Sequence, residues 1–278
     1  MAKPAQYRFP NGMRPATVRE RTDFYKHEFS VDSVRRWFRG WQYPIVFAVV
    51  IGRHTRVYPP EYRKDWRRTI LIDEYEDLSE FRKYLLDFRP ESAYYDRNLY
   101  RDWSQARDEP DRVRGLGTRF GQQLALDIDP ENFDCPIHGS LDEKMSRHQG
   151  LSFCRLELQL ARDQAVNVVD TLSKSFSEVR LVYSGRGFHI HIFDSKTFFW
   201  TRKKRLKLVR SLVRKGYLMD EWVAAGDMRL IRLPYSLNSL VSRIAIPLGP
   251  KDLEAFDPLT DERCIPNHLR PRRKAVTS

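Results

Sequence analysis

Cysteine is scarce in this 278-residue sequence, which contains only three. A small, odd number of cysteines in a chain of this length excludes a disulfide framework and fits a reducing compartment. The sequence also lacks any apolar run near the roughly 20 residues that a membrane-spanning helix needs, and residues 1–10 lack the apolar core of a signal peptide. We therefore expect an intracellular protein that does not enter a membrane.

Acidic residues are fewer than basic ones. There are 37 Asp and Glu against 49 Lys and Arg, which leaves a formal net charge of +12 and a pI near 9.7. A basic surplus of this size favours a polyanionic partner, first nucleic acid and second an anionic membrane surface. Hydrophobic residues make up 41% of the sequence, which is enough for a real core in one large or two small domains.

Apolar and acidic residues alternate at 124–129, and this is the most informative local pattern. Asp127 and Asp129 are two positions apart in a predicted strand. Residues at i and i+2 share a face of the strand and lie about 6.6 Å apart along the backbone, so both carboxylates point to the same side. Asp is depleted in strands and is costly to bury without a partner. We interpret the pair as ligands of a divalent cation; the alternative is a strand end whose acids are solvated.

The Ser-Gly-Arg-Gly sequence at 184–187 predicts a turn between two strands. Two glycines let the backbone approach a phosphate closely, Ser184 supplies a hydroxyl, and Arg186 can bind phosphate oxygens with its guanidinium group. His189 shares a strand face with His191. We assign His189 to phosphate binding and leave His191 as a structural residue.

A third group of residues has the spacing of a zinc knuckle. Cys135 and His138 are followed by Cys154 and, three residues later, by Glu157. Thiolate and imidazole are the ligands that zinc prefers in a closed tetrahedral site, and such a site would be structural. The fourth ligand stays open between Glu157 and His148. The alternative for the whole group is two inert buried thiols beside a surface histidine.

The remaining sequence predicts several regular elements and two basic ends. Helical periodicity is present at 31–38, 78–88, 158–176 and 201–215, and the last of these helices is strongly basic. Basic and aromatic residues interleave between 53 and 68, which suits a nucleic-acid strand or a solvated basic face. Periodicity is absent at both ends, so we expect a basic mobile arm at 1–29 and a basic tail at 266–278.

The order of these motifs resembles the catalytic small subunit of archaeal and eukaryotic DNA primase. The resemblance runs from about residue 92 to residue 266 and is carried by Asp-Ile-Asp at 127–129, by Ser-Gly-Arg-Gly-Phe-His at 184–189 and by Arg-Leu-Ile-Arg-Leu-Pro-Tyr-Ser-Leu at 229–237. It implies an α/β fold in which a mixed or antiparallel catalytic sheet is flanked by helices. The catalytic domain would cover 30–265, with the zinc knuckle inserted at about 135–157.

The resemblance also implies an activity. The implied reaction is template-directed nucleotidyl transfer from nucleoside triphosphates, which makes short RNA primers on single-stranded DNA. The implied metals are Mg²⁺ or Mn²⁺ at the aspartates and structural Zn²⁺ in the knuckle. The partner would be a larger iron–sulphur primase subunit in a heterodimer. Two alternatives remain open: a primase-polymerase or end-joining repair polymerase of the same superfamily, and a non-catalytic zinc-containing nucleic-acid-binding module.

Some site residues follow from the resemblance alone. Counting back from Arg232 places the third metal-binding carboxylate at Asp220, whereas local reasoning favours Asp227 at a strand edge. Arg232 would add positive charge to the nucleotide site, and Asn238 would add a hydrogen bond. The family usually has histidine at the position of Asn238, so the chain departs from the family pattern there.

Overall fold

The computed structural model describes residues 7–100, 119–253 and 255–270. Residues 1–6 of the expected arm and 271–278 of the expected tail lie outside the described residues. The α-helices are α1 (Val18–His27), α2 (Val31–Trp37), α3 (Leu78–Phe88), α4 (Leu141–Ser146), α5 (Arg155–Ser173), α6 (Arg202–Val213) and α7 (Glu221–Ala225). The strands are β1 (Phe47–Val50), β2 (Thr69–Ile72), β3 (Ser92–Asp96), β4 (Asn98–Tyr100), β5 (Arg119–Gln122), β6 (Leu124–Ile128), β7 (Val179–Tyr183), β8 (Phe188–Ile192), β9 (Leu230–Arg232), β10 (Leu237–Asn238), β11 (Arg243–Ile244) and β12 (Ile246–Leu248).

Two antiparallel sheets of four strands each organise the fold. The first sheet has the order β2-β1-β3-β9, and the second has the order β12-β7-β8-β6. Two-stranded ladders join β4 to β5 and β10 to β11. The prediction of an α/β fold with an antiparallel sheet flanked by helices is confirmed. The division into two sheets is a feature that the sequence patterns did not indicate.

Alternation along β6 separates the two faces of the second sheet. Leu124, Leu126 and Ile128 pack in a core cluster with the apolar stripe of α5, whereas Ala125 packs in another cluster with residues of the first sheet and of α1–α3. Asp127 lies on the same side of β6 as Ala125 because the two are separated by one residue. The predicted acidic face therefore points toward the first sheet.

The expected N-terminal arm contains a helix instead, α1. A capping box starts it: the N–H of Glu20 donates to Thr17 Oγ1 at 3.2 Å, and the N–H of Thr17 donates to Glu20 Oε2 at 2.8 Å. Phe24 and Tyr25 are buried in the cluster around the first sheet. At the other end of the chain, the N–H of Asn267 donates to Oε2 of Glu28, the residue just after α1, at 2.9 Å. The beginning of the expected tail is therefore also attached to the fold.

No helix in the described ranges combines the length and the apolar character that crossing a bilayer requires.

His191 is buried between the two sheets. Its Nδ1 lies 3.0 Å from the hydroxyl of Tyr95, and its ring packs edge-on against Trp37. Burial lowers the pKa of His191 well below its ordinary value, because a charged imidazolium would lose its hydration there, and the neighbouring His189 acts in the same direction. The structure agrees with the structural assignment of this residue.

We expect His191 to make the protein less stable as the pH falls below about 6.5. The unfolded chain binds a proton at the ordinary histidine pKa while folded His191 does not, so acidification favours unfolding. His191→Gln keeps a polar partner for Tyr95 and removes this proton uptake. Thermal denaturation should show a smaller decrease of Tm between about pH 7 and about pH 5 in the variant than in the wild type. Equal decreases would contradict this account.

Candidate active site

The two aspartates of the alternating pattern lie at the end of β6. Asp127 pairs across the ladder with His189 of β8, and Asp129 follows in an extended conformation before a short 3-10 helix. Their side chains are 16% and 19% exposed. Both line one pocket between the sheets, as expected for residues that share a strand face.

Helix α7 brings a third carboxylate to this pocket. The N–H of Asp220 donates to the carbonyl oxygen of Asp127 at 3.1 Å, and Asp220 Oδ1 accepts a hydrogen bond of 2.7 Å from the N–H two residues later as the N-cap of α7. Asp227 lies outside the pocket, where it pairs with Arg202 at 2.8 Å. The structure therefore groups Asp220, and not Asp227, with the two aspartates of β6.

The Ser-Gly-Arg-Gly turn joins β7 to β8 and closes against the end of β6. The N–H of Ser184 donates to the carbonyl oxygen of Gly187 at 2.9 Å, and the N–H of Gly187 donates to Ser184 Oγ at 3.0 Å. Gly185 has a φ of +91°, which residues with a side chain rarely adopt. A Cβ atom on Gly187 would lie 2.5 Å from the carbonyl oxygen of Ile128. Only glycine allows the turn to lie this close to the aspartates.

Arg186 is held between two carboxylates. Its Nη2 donates to Asp129 Oδ1 at 2.9 Å, and its Nη1 donates to Glu131 Oε1. Burial by itself lowers the pKa of Arg186, but the charges of Asp129 and Glu131 outweigh it and raise the pKa above its ordinary value. The guanidinium group is thus charged and fixed beside the acids.

Residues on the far side of the pocket include Arg232 of β9, in the first sheet. Arg232 pairs across the ladder with Tyr94, and its guanidinium group lies over that ring at 4.9 Å. Its Nη1 is buried without a hydrogen-bond partner among the described residues. Asn238 donates from its amide to the carbonyl oxygen of Ser184 at 3.3 Å, so it supports the turn.

All of the catalytic and nucleotide-binding residues predicted from the sequence line this one pocket, whose volume is about 190 Å³. They are Asp127, Asp129, Ser184, Arg186, His189, Asp220, Arg232 and Asn238. Burial, together with the charge of Asp129, raises the pKa of Asp127 well above its ordinary value, and Asp127 Oδ1 receives no hydrogen bond from the described residues. Such a donor set fits a divalent cation, which would supply the missing positive charge.

His189 is neutral at physiological pH. Burial lowers its pKa to about 3, and the positive charges of Arg232 and Arg186 act in the same direction. Its Nε2 lies 3.3 Å from Asp127 Oδ1 but does not donate a hydrogen bond to it. A phosphate bound here would therefore receive an N–H from His189 and no positive charge.

The comparisons with known proteins identify the family. No protein-family model matches the chain. It is 46% identical over 280 residues to an uncharacterized DNA primase small subunit-like protein of Archaeoglobus fulgidus, with 98% of both sequences covered. The chain belongs to the DNA primase small subunit family. The resemblance seen in the sequence is thereby confirmed.

More distant relatives of this primase-family chain are named DNA primase small subunits. That of Pyrobaculum calidifontis is 26% identical over 224 residues, which cover 65% of the chain and 67% of the relative. That of Pyrococcus furiosus is 24% identical over 199 residues, which cover 71% of the chain and 49% of the relative. These similarities support a primase-type role.

The residues predicted as zinc ligands of this primase-family chain lie together. In the described ranges, one cluster has ligand atoms all within 4.8 Å of one another, and it consists of Cys135, His138, Cys154 and Glu157. Cys135 Sγ lies 3.4 Å from His138 Nδ1 and 3.8 Å from Cys154 Sγ. Tetrahedral zinc bonds place such ligand atoms about 3.5–3.8 Å apart, so these residues fit a zinc ion. His148, the alternative fourth ligand, is not part of the cluster.

Two buried residues that the sequence did not indicate, Lys144 and Glu131, connect this cluster to the Ser-Gly-Arg-Gly turn. Lys144 pairs with Glu157 and donates from Nζ to the carbonyl oxygen of Glu131 at 3.0 Å. The carboxylate of Glu131 in turn accepts from Arg186. Lysine is almost never fully buried unless paired. The sequence feature that could have pointed to Glu131 is that it is a further acidic residue two positions after Asp129.

We expect the purified protein to contain about one zinc ion per chain. Changing both Cys135 and Cys154 to Ser should remove the zinc and lower Tm, because a structural zinc contributes to the free energy of folding. Elemental analysis and thermal denaturation measure the two effects. Cys264→Ser is the matched control, since Cys264 is buried outside the cluster and should leave the zinc content unchanged. Zinc-free protein from a preparation without chelator would rule the site out.

We expect Glu131→Gln to weaken binding of a nucleoside triphosphate about tenfold while leaving zinc content unchanged. The substitution keeps the size of the side chain and removes the charge that fixes Arg186. Equilibrium binding of a non-hydrolysable triphosphate measures the effect. Glu178→Gln is the control, because it removes a carboxylate that also pairs with an arginine, Arg180, but at the surface. Equal affinities of the Glu131 variant and the wild type would show that Glu131 does not position Arg186.

Proposed function

We propose that the chain is the catalytic subunit of a primase, which joins nucleotides into short RNA primers on a single-stranded DNA template. One observation carries the proposal: the pocket holds buried, unsatisfied groups of both signs. Asp127 Oδ1 accepts no hydrogen bond and Arg232 Nη1 donates none, within the described part of the chain. A nucleoside triphosphate with its divalent cation would satisfy both. A simple nucleic-acid-binding module does not need buried acids, which would repel the phosphate backbone.

The aspartates form the metal-binding side of the proposed site. Mg²⁺ or Mn²⁺ held by Asp127, Asp129 and Asp220 would activate the attacking 3′-hydroxyl and neutralise the leaving pyrophosphate. Asp129 accepts a hydrogen bond from Arg186 in this structure. Once Asp129 serves as a metal ligand, that N–H can donate to a phosphate oxygen, while Glu131 continues to hold the other side of the guanidinium group.

The basic and neutral polar groups of the pocket would bind the triphosphate. Arg232 contributes a positive charge from the first sheet, and His189 contributes a hydrogen bond from a neutral ring. Ser184 and Asn238 act on the backbone of the turn through the hydrogen bonds described above, so their main contribution is its shape. We propose a heterodimer with an iron–sulphur large subunit as well, because the named relatives are small subunits.

The test is primer synthesis on single-stranded DNA, with ribonucleotides and deoxyribonucleotides compared, across a manganese titration. Asp127→Ala and Asp129→Ala should each abolish incorporation while DNA affinity stays nearly unchanged, because carboxylates bind the metal and do not attract phosphates. Asp220→Asn should reduce incorporation strongly and shift the manganese dependence. Asp227→Asn is the matched control and should do neither. Near-wild-type incorporation by the Asp127 or Asp129 variant would overturn the proposed site.

A further inference from the structure

Helix α6 presents a cationic face that the nucleotide site does not use. Residues 201–215 include no acidic residue. Within the described ranges, α6 makes a single ion pair, between Arg202 and Asp227, so the exposed side chains of Lys203, Lys207 and Arg210 have no carboxylate partner. They line a shallow concavity of about 1100 Å³. The helix has 12 residues, so this face is about 18 Å long.

Two exposed apolar side chains lie between this face and the acidic pocket. Trp222 is 68% exposed and Met228 is 52% exposed, and Met228 also lines the pocket. The N–H of Met228 donates to the carbonyl oxygen of Trp222 at 3.2 Å, and the N–H of Trp222 donates to Asp220 Oδ1 at 2.7 Å. Trp222 is therefore fixed within two residues of a proposed metal ligand. The two exposed apolar side chains, Trp222 and Met228, next to the pocket suit a binding surface better than either would alone.

The cations and the apolar side chains lie on neighbouring elements. Helices α6 and α7 pack against each other, and the Arg202–Asp227 pair joins the start of α6 to the segment after α7. We call Lys203, Lys207, Arg210, Trp222 and Met228 the α6–α7 surface. Unpaired cations beside an exposed aromatic ring are the combination that binds single strands, in which phosphates contact the cations and bases stack on the ring.

We propose that the α6–α7 surface binds the single-stranded DNA template next to the acidic pocket, with a base stacked on Trp222 and phosphates along Lys203, Lys207 and Arg210. This inference rests on the proposed function, since it assigns the strand that the active site would copy. Charge complementarity favours this occupant: three cations without a carboxylate partner among the described residues suit a polyanion, whereas a protein partner would have to supply matching carboxylates at each of them.

The other basic and aromatic segment, between 53 and 68, is less suited to a strand. The rings of Tyr58 and Trp66 stack on each other with centroids 5.5 Å apart, and Arg67 lies over Trp66 at 4.6 Å. Arg68 pairs with Asp65 at 2.9 Å. These aromatic faces and two of the cations, Arg67 and Arg68, already have partners within the segment. The segment therefore provides a basic surface of similar composition for a control.

The experiment measures the affinity of the full-length protein for a fluorescent single-stranded DNA by anisotropy, over a salt titration and without nucleotide. Changing Lys203, Lys207 and Arg210 together to Gln should weaken binding at least tenfold and reduce the slope of log affinity against log salt by about 2. Trp222→Ala should weaken binding about tenfold and leave the slope unchanged, because stacking releases no counterions. The control changes Arg63, Lys64 and Arg67 together to Gln and should alter affinity and slope much less.

The outcomes separate this inference from the proposed function. Unchanged affinity and slope in both the α6 variant and Trp222→Ala overturn the inference, even if the wild type makes primers. Reduced DNA affinity in both variants supports the surface, even if the wild type incorporates no nucleotide and the proposed function fails. If the variants keep DNA affinity but lose association with a protein subunit, the surface docks a protein and the inference is wrong. Melting temperatures near that of the wild type show that the variants fold.

Discussion

The buried carboxylate of Asp127 is the constraint on which the rest of the site depends. Burial and the nearby charges of Asp129 and Asp220 disfavour its ionised form, so that form needs a compensating cation. Arg186 supplies compensation for Asp129, and it reaches that position because a glycine turn lies against the end of β6. The hydrogen bond from the Asp220 backbone to the Asp127 carbonyl holds the third acid in place even though like charges repel it.

The two sheets explain why opposite charges meet in one pocket. One face of the second sheet packs in an apolar cluster with α5, and its other face, with Ala125 and Val182, packs in a cluster with the first sheet and α1–α3. The second sheet contributes the acids from β6, and the first sheet contributes Arg232 from β9. The second sheet also contributes His189 from β8 and Arg186 from the turn between β7 and β8, so the complete pocket, with Arg232 included, forms only when both sheets are folded together.

Buried charges of alternating sign extend from the zinc cluster to the site. Glu157 pairs with Lys144, Lys144 donates to the backbone of Glu131, and the Glu131 carboxylate holds Arg186, which also pairs with Asp129. Each buried ion in this row is close to an opposite charge or a carbonyl oxygen, as the cost of burying charge requires. The Cys135, His138, Cys154 and Glu157 cluster is thus connected to the Ser-Gly-Arg-Gly turn through buried charges.

Local patterns in the sequence were enough to predict the elements with strong periodicity and the residues that occur in compact motifs. Helices α2, α3, α5 and α6, the hairpin of β7 and β8, the pairing of the aspartates at the end of β6 and the clustering of Cys135, His138, Cys154 and Glu157 were predicted, because strand alternation, helical spacing and ligand spacing are local properties. The grouping of Asp220 with the β6 acids required the family resemblance. Helix α1, the division into two sheets, and the roles of Glu131 and Lys144 were decided by the tertiary structure alone. In each case the stabilising partner, whether a core cluster or an opposite charge, is distant in the sequence, and burial against a distant partner leaves no periodic signal in the segment itself.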